Sequence, residues 1–370
     1  MKILTVIGAR PQFVKAAVVS NAIKQHNNVN TSKIEELILH TGQHYDANMN
    51  DVFFSALGLD SPYRQLSCGG IKSRTKALAA MLEGIDEAIN GCRPDFVMVY
   101  GDTTSTLAGA LAASQSHIPL IHIEAGLRSF NRQMPEENNR IITDHLASLL
   151  FCPTYQAIRN LKAENITDGL FHCGDVMYDA ALTFGAVASQ RSSVLSRLGL
   201  KPFEYRLCTV HRAENTDNSD RLSAIFNALS ALSSHDCPVV LPLHPRTALS
   251  INDYHLSIET LKIIDPVDYF DMLMLEKNAA TILTDSGGVQ KEAYFQRVPC
   301  VTLRNETEWV ETVAAGWNVI AGCEPAAIIN GVETVAATQK LDIEEYGDGH
   351  AADKIILAIN SYYNNVCGRK

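Results

Sequence analysis

The segment Thr284-Asp285-Ser286-Gly287-Gly288-Val289-Gln290-Lys291-Glu292-Ala293 joins an apolar run, Ala279 to Leu283, to the start of a helix. The run has the length and character of a buried strand. The helix that follows carries Ser286 and two glycines in its first turn. Glycines let the backbone come close to an anion, and the free N–H groups and dipole of a helix N-terminus face it. Glu292 lies further along the same helix, where a carboxylate can accept hydrogen bonds from two vicinal hydroxyls such as those of a ribose. Ser286, Gly287, Gly288 and Glu292 thus form a candidate diphosphate and ribose site. An ordinary capped helix after a tight strand–helix turn explains the same residues, and the surrounding sequence has to decide between the two.

Outward from this segment, apolar runs alternate with helical patterns. The runs are Ile3–Ile7, Leu37–His40, Phe96–Tyr100, Leu120–Ile123, Leu149–Cys152, Leu207–Val210, Val239–Leu243, Leu261–Ile264, Ala280–Leu283 and Val301–Leu303. Helical stretches between them include Ser73–Ile89, Thr103–Ser116, Arg221–Leu232 and Glu324–Ala337. Near-continuous apolar strands alternating with helices predict an α/β fold of parallel sheets covered on both faces. Ten such strands exceed one comfortable doubly wound sheet. The expectation is therefore two Rossmann-like domains facing a central cleft, one over residues 1–175 and one over 176–349. By analogy with such folds, the last segment, 350–370, packs back on the first domain. The opening run, Ile3 to Ile7, is too short for a signal peptide and is expected to be a first strand.

A chain of 370 residues with 46% hydrophobic and 19% charged content has room for two ordinary cores and no disordered character. The formal net charge is -10, the pI is about 5.6, and no lysine/arginine block stands out. Nucleic acid and an anionic membrane surface would find no electrostatic footprint here. The nine cysteines are scattered, several inside apolar runs, with no CxxC pair and no zinc-ligand spacing. They predict reduced core residues of a cytoplasmic protein and no metal site.

In doubly wound sheets ligands bind at the carboxyl ends of strands, so the polar residues just after each apolar run matter most. After the first strand, Arg10 and Lys15 place two cations where phosphate or carboxylate would want them, with Gln12 between them. After Tyr100, Asp102 is either the cap of the next helix or a catalytic carboxylate. Glu124 ends an otherwise apolar strand, a costly place for a carboxylate without a partner or a task. Glu136 and Arg140 stand at ion-pair spacing on a helix, read as a surface salt bridge or as part of a site. In the second half, His211 and Arg212 follow a strand, and His211 is a candidate general acid/base or phosphate ligand.

A diphosphate cradle in one half and three crevice carboxylates in the other, Asp102, Glu124 and Glu136, suit a nucleotide sugar, with transfer or rearrangement of the sugar as the two reaction classes. No GxGxxG fingerprint, zinc cluster or Walker lysine accompanies them, so no cofactor is expected.

Taken together the motifs resemble the non-hydrolysing UDP-N-acetylglucosamine 2-epimerase family, which has the glycosyltransferase-B fold. The resemblance runs through GARPQFVKAA from Gly8, YGDTTSTLAGALAA from Tyr100, HIEAGLR from His122 and PEENNR from Pro135. It continues through VHRAEN from Val210, LTDSGGVQKEA from Leu283 and YGDGHAADKI from Tyr346. The resemblance implies that Asp102, Glu124, Glu136 and His211 are catalytic. It implies binding roles for Arg10, Lys15, Arg140, Ser286, Gly287 and Glu292, with Arg304 matching an arginine after a later strand. It also implies a homodimer and a UDP-sugar substrate. The family reaction is anti elimination of UDP across C1–C2 to a 2-acetamidoglycal, followed by re-addition that inverts C2. That chemistry needs a base for the C2 proton, stabilisation of the departing diphosphate and an acid on the other face.

Three departures stand out. Commoner members of the family carry glutamate where this chain has Gln12, and an arginine–proline pair where it has Trp309-Val310. The segment Gln43-His44-Tyr45-Asp46-Ala47-Asn48-Met49 differs from the form linked to allosteric activation by UDP-GlcNAc. These variants resemble the branch that epimerises UDP-2,3-diacetamido-2,3-dideoxy-glucuronate for O-antigen synthesis. On that reading Gln12 lies near the sugar, where a glutamate would repel a C6 carboxylate, and Arg10, Lys15 or Arg128 supplies the counter-charge. The alternatives are a hydrolysing 2-epimerase, a glycosyltransferase of the same fold, and a nucleotide-sugar-binding module.

Overall fold

The apolar runs form strands that pair in parallel, and among the described residues most of the connections between neighbouring strands return through a helix. The computed structural model describes residues 1–43, 54 and 57–366; the expectation for His44–Met49 falls outside them. The chain divides into two units, Met1–Ala180 with Glu344–Lys370, and Ala181–Ile343.

The first unit holds β1 (Lys2–Ile7), β2 (Glu35–His40), β3 (Arg64–Gln65), β4 (Phe96–Tyr100), β5 (Leu120–Ile123), β6 (Leu149–Cys152) and β7 (Leu170–His172). Around them lie α1 (Arg10–Val29), α2 (Arg74–Cys92), α3 (Thr104–Gln115), α4 (Pro135–Leu146), α5 (Tyr155–Ala163) and α6 (Val176–Arg191), in which the boundary between units falls. The sheet order is β3-β2-β1-β4-β5-β6-β7. Every residue of β4 and β5 is buried, as a strand covered on both faces requires. Helix α3 can lie close on the sheet because its inward residues are small: Ala108, Ala110, Ala112 and Ala113 are buried among Val6, Val97 and Val99.

The second unit holds α7 (Val194–Leu198), β8 (Arg206–Thr209), α8 (Ala213–Thr216), α9 (Ser219–Leu232), β9 (Val239–Pro242), α10 (Pro245–Asp253), β10 (Lys262–Ile264) and α11 (Tyr269–Lys277). It continues with β11 (Thr281–Thr284), α12 (Gly287–Phe295), β12 (Cys300–Thr302), α13 (Val310–Ala314), β13 (Asn318–Ile320) and α14 (Pro325–Ala337). Its sheet order is β10-β9-β8-β11-β12-β13, again parallel. The last helix, α15 (Ala351–Val366), belongs to the first unit and sets the rings of Tyr362 and Tyr363 at 6.0 and 6.2 Å from Phe96.

Both sheets reverse strand order once. In the first unit the reversal lies between β1 and β4, and in the second between β8 and β11. A crevice opens at the carboxyl ends of the strands flanking such a reversal. The residues that follow those four strands are therefore the candidates for chemistry in each unit.

Candidate active site

In the first unit the strand ends place two ion pairs. Lys15, one turn into α1, donates to the Glu124 carboxylate just past β5, and both side chains are almost buried. Glu124 takes a left-handed backbone conformation, φ 71°, unusual for a residue with a side chain. Its N–H and that of Ala125 both donate to the Phe151 carbonyl, at 3.0 Å each, which holds the turn. Gly101 makes room for this pair. Its own φ is 62°, and a Cβ there would lie 3.1 Å from Glu124 Oε2 and 3.4 Å from Lys15 Nζ.

Asp102 does not cap the next helix; Thr103 does, through its hydroxyl and the Thr106 N–H. Asp102 instead accepts from Arg140 Nη1 at 2.5 Å, with its side chain 35% exposed. Arg140 is buried and divides its guanidinium between Asp102 and Glu137, whose Oε2 lies 2.7 Å from Nη2. This corrects the expected Glu136–Arg140 pair. Glu137 faces inward at the start of α4 and also collects the N–H groups of Ser129 and Phe130 at 2.9 Å each. Burial pushes the Glu137 pKa up, but the Ser129 N–H and the Arg140 guanidinium outweigh it and hold the carboxyl below its ordinary value. Glu136 is half-buried on the first turn of α4.

Gln12 is 1% exposed and its amide is occupied on both sides. Its oxygen accepts from the Gly8 and Ala9 N–H groups at 2.8 and 3.0 Å, and its Nε2 donates to the Tyr100 carbonyl and to Thr106 Oγ1 at 2.8 and 3.0 Å. Gln12 closes the start of α1 onto β4 and α3. Arg128 is likewise enclosed, donating to Asp144 at 2.7 Å and to both oxygens of Glu164 at 2.7 and 2.8 Å. It has no fork left for a sugar carboxylate.

In the second unit, Ser286 is the N-cap of α12, yet its hydroxyl makes no capping hydrogen bond. A Cβ at Gly288 would lie 3.8 Å from Ser286 Oγ and 4.0 Å from Glu292 Oε2, so these side chains converge on the first turn of the helix. Free N–H groups, a hydroxyl and a carboxylate on one helix end can take a phosphate and a pair of hydroxyls. Arg304 is fully buried and forms a two-armed pair with Glu308 at 3.0 and 3.1 Å, which makes it a support for its neighbour and not an open contact. Lys291, also buried, stands over the Trp309 ring at 4.0 Å.

His211 follows β8 with its side chain 34% exposed. Burial lowers its pKa; Asp285 opposes that, while Arg212, His244 and Arg246 add to it. The Arg212 Nε is buried without a hydrogen-bond partner among the described residues. His244, which the sequence reading passed over, lies after β9 with its ring 5.4 Å from that of His211. The rule that found His211, a polar residue directly after an apolar run, would have found Leu243-His244-Pro245-Arg246 as well.

Two doubly wound parallel sheets, with charged and phosphate-competent groups at the ends of the strands beside each reversal, define an α/β enzyme of the glycosyltransferase-B-like class. The sequence pattern of the UDP-N-acetylglucosamine 2-epimerase family matches residues 26–360. A UDP-2,3-diacetamido-2,3-dideoxy-D-glucuronate 2-epimerase of Pseudomonas aeruginosa is 48% identical over 359 residues, 96% of this chain and 98% of its own. A UDP-N-acetylglucosamine 2-epimerase homolog of Methanococcus maripaludis is 46% identical over 367 residues, 98% of this chain and 100% of its own. The structure of the Methanocaldococcus jannaschii UDP-GlcNAc 2-epimerase in complex with UDP-GlcNAc and UDP superposes with a TM-score of 0.89 at 38% identity. It covers 98% of this chain and 100% of that one. The chain belongs to the UDP-N-acetylglucosamine 2-epimerase family, and it is an isomerase of the epimerase class. Among the described residues no helix is long and apolar enough to cross a membrane.

Proposed function

We propose that this enzyme inverts C2 of UDP-2,3-diacetamido-2,3-dideoxy-glucuronate without hydrolysis. The observation that carries the choice of sugar is the 48% identity, over nearly the whole of both chains, with an enzyme named for that substrate. The second unit binds UDP, with Ser286 and the N–H groups of the first turn of α12 on the diphosphate and Glu292 on the ribose. The first unit moves the protons. Elimination breaks C2–H and C1–O: a carboxylate takes the proton, the C2–H electron pair becomes the C1=C2 double bond of the glycal, and the C1–O pair leaves with UDP. Re-addition forms C1–O again while a second acid delivers a proton to the other face of C2. Asp102, Glu124 and Glu136 are the groups for these transfers, and His211 serves the departing and returning diphosphate. Arg10, the first residue of α1 and half-buried, is assigned to the C6 carboxylate. The enzyme works in this account as a homodimer in the cytoplasm, a reducing compartment that suits its buried free thiols.

Comparative kinetics tests the substrate. The value of kcat/KM is expected to be higher for the diacetamido-glucuronate than for UDP-GlcNAc, and efficient turnover of UDP-GlcNAc with none of the uronate would refute the choice. Glu292→Ala tests the cradle. It should weaken UDP and the UDP-sugar alike by about 2–3 kcal/mol, the worth of hydrogen bonds to a charged acceptor. Calorimetry that finds UDP affinity unchanged would place Glu292 outside the site.

A further inference from the structure

Asp285 stands between β11 and the Ser286 cradle and is fully buried. A carboxylate there is costly unless donors surround it. Every donor to its oxygens that the described residues provide comes from the chain that follows β8. The His211 N–H lies 3.1 Å from each oxygen, the Arg212 N–H 3.0 Å from Oδ2, and Asn215 Nδ2 3.0 Å from Oδ2. The Asp285 N–H returns to the Thr209 carbonyl at 3.2 Å, and Oδ1 stands 3.6 Å from His211 Nδ1. One carboxylate thus gathers the loop that carries His211 and Arg212, one residue before the diphosphate cradle begins.

We propose that Asp285 is a positioning residue, which fixes the His211–Arg212 backbone against the Ser286 cradle and turns the His211 ring so that Nδ1–H faces Asp285 and Nε2 is left for the ligand. The proposal rests on reading His211 as an active-site group. The charged and titratable neighbours of the ring agree with it. Asp285 is its anionic neighbour, and Arg212, His244 and Arg246 are the cationic or titratable ones. The His244 Nδ1 accepts the Arg246 N–H at 3.2 Å, so a neutral His244 carries its proton on Nε2. Asp285 is the group of this set that favours a proton on His211. Its loss should make the ring harder to protonate and free it to turn.

The test uses the full chain with isotope-labelled histidine, and His211→Gln assigns the signal. In the unaltered enzyme, nitrogen shifts should place the proton of the neutral His211 ring on Nδ1. In folded Asp285→Asn, the His211 titration midpoint should move down by about one pH unit, the size of a close opposite charge. Turnover should fall by at least about 10–100-fold, the range attached to removing the outer-shell partner of a metal-bound histidine. A role confined to stability would lower the Tm and leave both readouts in place. The proposal is overturned by a His211 proton on Nε2 in the unaltered enzyme. It is overturned equally by a folded Asp285→Asn with unchanged titration and turnover. If that variant does not fold, the tautomer in the unaltered enzyme still decides. Absence of epimerisation by the unaltered enzyme would defeat the functional reading and leave the tautomer result standing on its own.

Discussion

Asp102→Asn should lower turnover by about 10²–10⁴-fold, the range attached to a positioned proton-transfer group. UDP affinity should stay within about threefold, less than 1 kcal/mol. The asymmetry follows from where Asp102 sits. Its carboxylate follows β4, beside the reversal of strand order in the first unit, and is partly open, while the phosphate-competent groups belong to the second unit. The amide keeps the size of the side chain but cannot take up a proton. Arg140 keeps Glu137 as its second anion, so the loss of one ion pair does not strand a buried cation. Steady-state kinetics and calorimetry on one preparation read both quantities. An equal fall in turnover and in UDP affinity would reduce Asp102 to a holder of Arg140.

Lys15→Met should destabilise the fold by about 3–5 kcal/mol, because it removes one partner of a buried ion pair. Few single changes cost that much. Glu124 cannot easily swing away to water, since its backbone is held in the left-handed region by the Phe151 carbonyl. The double variant Lys15→Met/Glu124→Gln should recover a large part of the loss, because no net charge then remains to be desolvated. Urea unfolding of the two single variants and the double one measures the coupling. A loss below about 1 kcal/mol for Lys15→Met, typical of an exposed pair, would show that water reaches Glu124.

These two ion pairs show how far the sequence could be read. That Asp102 and Glu124 belong to strand ends was legible, because β4 and β5 begin and end where the apolar runs do. Their partners were not. Lys15 and Glu124 are 109 residues apart, and Asp102 and Arg140 are 38 apart, so only the tertiary fold brings them together. Spacing on the helix suggested Glu136 for Arg140, but local spacing carries no information about the Ser129–Phe130 turn whose N–H groups draw Glu137 inward. The surroundings of Gln12 were hidden for a related reason: nothing local to the helix start foretells that β4 and α3 supply a carbonyl and a hydroxyl for its amide. The edge strands β3, β7 and β13 were missed, being two or three residues long with at most a brief apolar signal. Strand order, which makes β1, β4, β8 and β11 the strands that matter, has no local signature at all.

The most direct measurement is epimerisation of UDP-2,3-diacetamido-2,3-dideoxy-glucuronate in deuterium oxide, with the product read by NMR at C2. Removal of the C2 proton to a carboxylate, followed by return of a proton from a group that exchanges with solvent, predicts deuterium at C2 of the manno product. Epimerised product that retains the original hydrogen at C2 would contradict the elimination and re-addition on which the account rests.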